Sequence, residues 1–179
     1  MKIIVGLGNP GEQYKLTRHN VGFLALDYYM KELETIHCQS TFMSQICEIH
    51  FSATKTFFVK PQTFMNKSGQ AVKEILNFYK ANPQTDLLVI HDDKDLSLGD
   101  IKNTTSAGSA GHNGVQNIMD ELGTKEFNRI RIGVEARPED SPIPTEAFVL
   151  HPFDQIELEK FEKDIFPEVK KAIDKFIGL

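Results

Sequence analysis

The sequence lacks the features that mark membrane proteins, secreted proteins and proteins that coat nucleic acid. Its apolar runs are far too short to cross a bilayer. The N-terminus has one lysine and a short Ile-Ile-Val run, without the longer apolar segment and small-residue cleavage site of a signal peptide. A formal net charge of −5 provides no basic excess to neutralise a phosphate backbone. We therefore expect a cytoplasmic protein whose contacts with any nucleic acid are local.

Cysteine is scarce as well. The two cysteines, Cys38 and Cys47, have neither C-x-x-C spacing nor further cysteines beside them, so the pattern indicates neither a redox motif nor a thiolate metal site. We expect two buried free thiols without a chemical role.

What the chain does contain is an ordinary globular composition. It has 179 residues, of which 40% are hydrophobic and 25% are charged, and this length is sufficient for one domain with a substantial core. Because no shift in composition divides the chain, we expect a single domain over residues 1–179.

Short apolar runs alternate with helical patterns along the chain. We predict strands at Lys2–Leu7, Ser44–Phe51, Lys55–Lys60, Asp86–His91 and Arg129–Val134, the second and third forming a hairpin. We predict helices at Asn20–Glu34, from an Asn66 or Ser68 cap to about Tyr79, from about Asn113 to Leu122, and across Phe153–Ile177, the last either continuous or broken at Pro167. This alternation predicts a three-layer α/β fold with a mixed, mostly parallel central sheet and helices on both faces.

The first predicted strand runs into "GLGNPGEQYKLTRHNVGF", which contains G-x-G-x-x-G. A dinucleotide-binding loop is a weak interpretation, because Pro10 interrupts it, polar residues follow it, and no acidic residue follows a second strand at the required place. The alternative is a tight turn after a strand.

Polar side chains instead follow the strand ends. Asn9 lies past one strand, Asp92 past another, and His19 on the loop leaving the first. Because ligands gather beyond the carboxyl ends of parallel strands, we expect these residues to meet in one crevice with Asn66 and Asn113, which begin helices. A neutral imidazole accepts a proton near pH 7, a carboxylate fixes its tautomer, and asparagine amides stabilise an oxyanion. The set therefore predicts ester hydrolysis by an activated water.

Five segments carry a family resemblance in the right order, covering most of residues 2–134. "VGLGNPGEQYKLTRHNVGF", "VKPQTFMNKSGQAV", "VIHDDKDLSLGDIK", "GSAGHNG" and "FNRIRIGV" resemble the signatures of bacterial peptidyl-tRNA hydrolase. The resemblance implies hydrolysis of the ester joining a peptide, or an N-blocked aminoacyl group, to the tRNA 3′ end. It also implies a monomer that binds the 3′ end and acceptor stem of peptidyl-tRNA and uses no metal or organic cofactor.

The resemblance also implies roles for individual residues. His19 resembles the family's general base, Asp92 its partner, and Asn9 the residue that separates blocked from free aminoacyl groups. Contacts with the tRNA 3′ end, the peptide or the tRNA 5′ phosphate are implied for Tyr14, Phe64, Asn66, Asn113 and Arg131.

Three positions depart from the family's pattern. Thr104 and Gln116 stand where basic residues are usual, and His151 replaces a glycine. The first two changes weaken the expected hold on the tRNA body, which leaves a local basic patch at Lys102, Lys125, Arg129 and Arg131.

Two other functions remain open on the sequence alone. A metal-dependent hydrolase would use His91, Asp92, Asp93 and Asp95, perhaps with His19, although adjacent strand residues point in different directions. A catalytically silent tRNA- or ribosome-binding relative is the other, and the intact pair of His19 and Asp92 argues against it.

Overall fold

A computed structural model describes residues 1–33, 36–51, 54–138 and 140–179. In this part of the chain seven strands form one sheet: β1 (Lys2–Gly6), β2 (His37–Thr41), β3 (Ser44–Phe51), β4 (Thr54–Pro61), β5 (Leu87–Ser97), β6 (Ile101–Thr104) and β7 (Asn128–Glu135). The spatial order is β2-β3-β4-β1-β5-β7-β6. The four strands β4, β1, β5 and β7 run parallel, and antiparallel pairs add β3, β2 and β6 at the edges. The predicted hairpin of β3 and β4 is therefore confirmed.

Helices cover both faces of this sheet. They are α1 (Val21–Met30), α2 (Ser68–Tyr79), α3 (Pro83–Asp86), α4 (Asn113–Leu122), α5 (Thr145–Phe148), α6 (Gln155–Lys160) and α7 (Phe166–Ile177). The apolar residues of α1 and α7 pack with Ile4 and Ile90 on one face, whereas those of α2 and α4 pack with Val5 and Val89 on the other. The predicted three-layer α/β fold is confirmed. None of the helices among the described residues is both long and apolar enough to span a membrane.

Several predicted boundaries were wrong. Strand β5 does not stop at the two aspartates but continues to Ser97, with a register shift between Asp93 and Ser97. Both aspartates are buried because other segments supply polar partners for them. Helix α1 ends at Met30, and Glu34, the predicted end, lies outside the described residues.

Two helix predictions need a similar correction. Neither Asn66 nor Ser68 caps α2 with its side chain; the Ser68 hydroxyl instead donates to the carbonyl oxygen of Met65. The predicted C-terminal helix is divided into α6, a π-helical segment at Phe161–Ile165 and α7, whose first turn contains Pro167. Ile156, near the start of this region, is 79% exposed.

The cysteine prediction was wrong. Cys38 and Cys47 face each other across the antiparallel β2–β3 pair, with their Cα atoms 4.0 Å apart, and they form a disulfide bond. Strand β2 is exposed and polar, so no hydrophobic pattern predicted a strand that would place Cys38 opposite Cys47.

The start of α1 lies directly against the ends of β1 and β5. A Cβ atom on Gly22 would overlap the carbonyl oxygen of Ile90 and backbone atoms of Leu7. Only glycine permits this approach. The short 3₁₀ turn Arg18–Asn20 immediately precedes α1. The close contact at Gly22 therefore places this turn at the end of the sheet where Asp92 lies on β5.

Candidate active site

A cavity of about 390 Å³ lies where β1 and β5 carry their polar residues. Six of the eight predicted site residues line it: Asn9, His19, Phe64, Asn66, Asp92 and Asn113. Tyr14 and Arg131 do not. The expected crevice therefore exists.

His19 and Asp92 form a buried pair on one side of this cavity. His19 Nδ1 lies 2.8 Å from Asp92 Oδ1. Since an ionised carboxylate only accepts hydrogen bonds, Nδ1 carries the proton and Nε2 carries the lone pair. Nε2 has no hydrogen-bond partner in the described part of the chain. The imidazole thus has a free basic nitrogen at the cavity.

The pair also shifts both pKa values. Burial lowers the pKa of His19, but the charge of Asp92 and the hydrogen bond to it outweigh burial, so the net shift is upward. Burial raises the pKa of Asp92, but the imidazoles of His19 and His112 act against it and hold the pKa well below its ordinary value. Asp92 is therefore a carboxylate at neutral pH.

His112 is a member of this cluster to which sequence reasoning assigned no role. Its Nδ1 accepts hydrogen bonds from the amides of Gly114 and Val115, so the side chain caps α4. Nε2 therefore carries the proton and donates to Asp92 Oδ1 at 2.9 Å. One carboxylate oxygen thus receives two N–H donors. The available signal was a histidine directly before a predicted helix, the place where N-caps occur.

His91 supports Asp92 from the backbone. Its Nδ1 donates to the carbonyl oxygen of Asp92 at 2.7 Å, and its ring meets that of His112 edge-on, with centroids 4.7 Å apart. The pKa of His91 lies well below its ordinary value, mainly because the side chain is buried. His91 is therefore a neutral packing partner of the pair.

Two hydrogen bonds hold Asn9 in place. Its side-chain Oδ1 accepts from the amide of Met65 at 2.8 Å, and its backbone amide donates to Asn20 Oδ1 at 2.8 Å. Because Oδ1 is occupied by Met65, the remaining capacity of the side chain is its Nδ2 donors. Asn9 thus offers N–H groups at the cavity.

Arg18 fixes the turn that carries His19. Its guanidinium donates to the carbonyl oxygen of Pro152 at 2.6 Å and to Glu157 at 2.6 and 2.8 Å, and it lies over Phe148 at 4.5 Å. Backbone bonds join the amide of Arg18 to His151 and that of His19 to Val149. At His151 the backbone makes the contact, and the side chain is exposed.

The other cavity residues are more open. Phe64 is 59% exposed, and Asn66 and Asn113 are exposed as well. Val149 and Leu150 add apolar wall beside them. The rim thus combines an aromatic ring, amides and aliphatic side chains.

Two predicted substrate residues lie outside this rim. Tyr14 is half-buried in the 3₁₀ turn Glu12–Tyr14, and its carbonyl oxygen accepts from the Thr17 hydroxyl at 2.8 Å. Arg131 donates through Nε to Asp93. The predicted basic patch is smaller than expected, because Arg129 is only 1% exposed and binds the carbonyl oxygens of Ala107 and Gly108.

Two of the metal ligands proposed from the sequence, Asp93 and Asp95, have other partners. Asp93 pairs with Arg131, and Asp95 is exposed beside Lys94. A different trio, His19, Asp92 and His112, has ligand atoms within 4.8 Å of one another. The short distances between these three side chains are explained by two hydrogen bonds, since His19 and His112 each donate an N–H to one carboxylate oxygen of Asp92. A metal ion at this position would have to replace both of these protons.

Known proteins match the chain over its length. The family model described as peptidyl-tRNA hydrolase matches residues 3–178. The chain belongs to the peptidyl-tRNA hydrolase family. Peptidyl-tRNA hydrolase of Fusobacterium nucleatum subsp. nucleatum is 42% identical over 179 residues, covering 100% of this chain and 91% of that protein. The one from Lactobacillus helveticus is 40% identical, covering 99% and 94%.

A solved structure agrees with this assignment. The crystal structure of peptidyl-tRNA hydrolase from Acinetobacter baumannii has a TM-score of 0.83 with this chain at 28% sequence identity, and the match covers 99% of this chain and 93% of that one. The family of hydrolases expected from the five sequence segments is thus confirmed.

Proposed function

We propose that this chain hydrolyses the ester between a peptide, or an N-blocked aminoacyl group, and the tRNA 3′ end, with a water activated by His19. The observation that carries the proposal is the hydrogen bond from His19 Nδ1 to Asp92 Oδ1, 2.8 Å long, which leaves Nε2 as the free base at the cavity. Membership of the peptidyl-tRNA hydrolase family supplies the substrate class.

The reaction begins with proton transfer from water to His19 Nε2. The oxygen of that water attacks the ester carbonyl carbon and forms a tetrahedral intermediate. The imidazolium then returns the proton to the leaving 3′ oxygen, and the acid and free tRNA separate. Asp92 holds Nδ1 protonated throughout and stabilises the imidazolium, which fits the upward shift in the pKa of His19.

Asparagine amides complete the chemistry. The Nδ2 donors of Asn9, set by Met65, suit the developing oxyanion or the blocked amide of the substrate. Asn113, at the start of α4, adds a second amide, beside helix amides that favour negative charge. Asn9 thereby distinguishes a blocked aminoacyl group from a free one.

The remaining predicted residues bind the substrate outside the reacting atoms. Phe64 offers an exposed ring for stacking of a base or a peptide side chain, and Asn66 lies beside it on the cavity wall. Tyr14 contacts the tRNA 3′ end or the peptide from the 3₁₀ turn Glu12–Tyr14. Arg131 contributes positive charge toward the tRNA 5′ phosphate, partly neutralised by Asp93. We further propose a single-domain, cytoplasmic monomer that needs no metal or organic cofactor.

The test compares N-acetyl-aminoacyl-tRNA with the same aminoacyl-tRNA carrying a free amine. The proposal expects rapid release of tRNA from the blocked ester and little from the free one. Equal cleavage of both esters would remove the proposed role of Asn9, and cleavage of neither would refute the proposed function.

A further inference from the structure

Few charged side chains line the cavity. Its charged lining, within the residues that the structure describes, consists of Asp92, Asp93, Lys94 and Glu146 besides the histidines. The two aspartates are buried and engaged, by histidines and by Arg131 respectively. Lys94 is therefore the one lysine or arginine that faces the substrate space in this part of the chain.

Lys94 is placed two residues beyond Asp92 on β5, so their Cα atoms are roughly 7 Å apart along the strand. Its stem lies beside Gly111, close to where the loop from Ser109 to Gly111 forms the cavity wall. The side chain is 38% exposed, and its one ion pair is with the neighbouring Asp95 at 3.2 Å. Such an exposed pair contributes little and is readily exchanged for another anion.

Two arginines near the cavity are engaged within the fold. Arg129 is buried against the carbonyl oxygens of Ala107 and Gly108, and Arg131 is paired with Asp93. Thr104, directly opposite Arg129 on β6, is uncharged, as is Gln116. Among the described residues that line the cavity, the positive charge open to a substrate whose ester sits at His19 is therefore that of Lys94.

We propose that Lys94 binds the phosphate of the terminal nucleotide, and so selects esters of nucleotides over esters of nucleosides. The inference rests on the proposed function, because the ester and this phosphate are carried by the same ribose. A lysine ammonium on a four-carbon stem suits a phosphate whose exact position varies with the acyl group. Because this contact is present before and during the reaction, it acts on KM and leaves kcat nearly unchanged.

The test uses three substrates with the same N-acetyl-aminoacyl group, carried by adenosine, by adenosine 5′-monophosphate and by tRNA. Wild-type protein is compared with Lys94→Gln and with Lys73→Gln, which removes one charge from an exposed lysine paired with Glu121 on the α2–α4 surface. We expect Lys94→Gln to raise KM roughly fivefold for the monophosphate and tRNA esters, with no change for the adenosine ester. Lys73→Gln should change none of them.

Salt dependence gives a second measure. Loss of one phosphate contact should reduce the slope of log affinity for tRNA against log salt by about 0.7 to 0.9 in Lys94→Gln. Unchanged KM values and an unchanged slope in this variant would overturn the role of Lys94, as would an equal loss with the adenosine ester or in Lys73→Gln. Wild-type protein that cleaves none of the three esters would instead refute the proposed function.

Discussion

At the scale of single residues, the site depends on one carboxylate oxygen that receives two hydrogen bonds. Asp92 Oδ1 accepts from His19 Nδ1 and from His112 Nε2. The first bond sets the tautomer of His19, and the second ties the carboxylate to the start of α4. Asp92 therefore does more than face His19, because it joins two segments that are far apart in the sequence.

Replacing Asp92 with Asn should lower the maximal rate and move the acid limb of the pH profile to lower pH. The proposed mechanism needs neutral His19, so activity should fall as pH drops through the pKa of His19. The Asp92 carboxylate raises the pKa of His19. When Asn replaces it, the effect of burial remains, and burial lowers the pKa of His19. The pH profile of kcat/KM with N-acetyl-aminoacyl-tRNA measures the shift. Asp95→Asn, at an exposed position, is the matched control, and an Asp92→Asn profile like that of wild type would contradict the pairing.

Asp93 should behave differently from its neighbour. Its buried side chain pairs with Arg131 on β7, and breaking such a pair leaves a charge without a partner. We expect Asp93→Asn to lower the free energy of unfolding by about 3 kcal/mol while keeping the acid limb of the pH profile in place. Urea unfolding measures the loss of stability, and the pH profile of kcat/KM measures the effect on His19. Together the two measurements distinguish the role of Asp93 from that of Asp92. A shifted acid limb in a folded Asp93→Asn protein would contradict the assignment of a structural role to Asp93.

At the scale of elements, the position of His19 depends on how closely α1 approaches the sheet. Gly22→Ala introduces a methyl group into the space occupied by backbone atoms of Ile90 and Leu7. Overpacking of this kind costs about 1 to 3 kcal/mol, and here it displaces the turn that carries the base. We expect a lower melting temperature and reduced activity together.

Gly108→Ala is the control for Gly22→Ala. It makes the same chemical change at a glycine with no heavy atom within 4 Å of the added Cβ. Stability and activity of Gly108→Ala should stay near wild type. A Gly22→Ala protein as stable and active as this control would show that close approach of α1 does not position the base.

Elements differed in how well the sequence predicted them. Strands β1, β3, β4 and β7 were predicted because they are apolar where they cross the core. Strands β2 and β6 were missed because they are short edge strands, largely exposed and polar. The last part of β5 was missed because its buried aspartates resemble the start of a loop until their partners are known.

The site was predictable to a similar degree, and for similar reasons. Strand-end reasoning and the family resemblance named His19, Asp92 and Asn9, which the fold brings together. The contact of His112 with Asp92 was not predictable, since it depends on where the loop before α4 folds back over β5. The same holds for Arg129 and Arg131, whose contacts with other parts of the fold reduce the positive charge available at the surface.

At the scale of the whole molecule, charge limits how the protein holds tRNA. The net charge is −5, and two arginines of the expected basic patch are engaged within the fold. Few counterions should therefore be released on binding, and the slope of log affinity against log salt should be shallow. Filter binding of tRNA across a salt series measures it. A slope that corresponds to roughly six or more phosphate contacts would contradict this picture.

His19 is the base that activates water in the proposed mechanism, and every other role in the site depends on it. The most direct test is single-turnover hydrolysis of N-acetyl-aminoacyl-tRNA by His19→Ala and wild-type protein, each with and without EDTA, after melting curves have verified that the variant is folded. We expect His19→Ala to bind the substrate but to lose on the order of 10² to 10⁴ in rate, and wild-type activity to survive EDTA. A folded His19→Ala protein with near-wild-type turnover, or wild-type activity that EDTA abolishes and a divalent ion restores, would contradict the account.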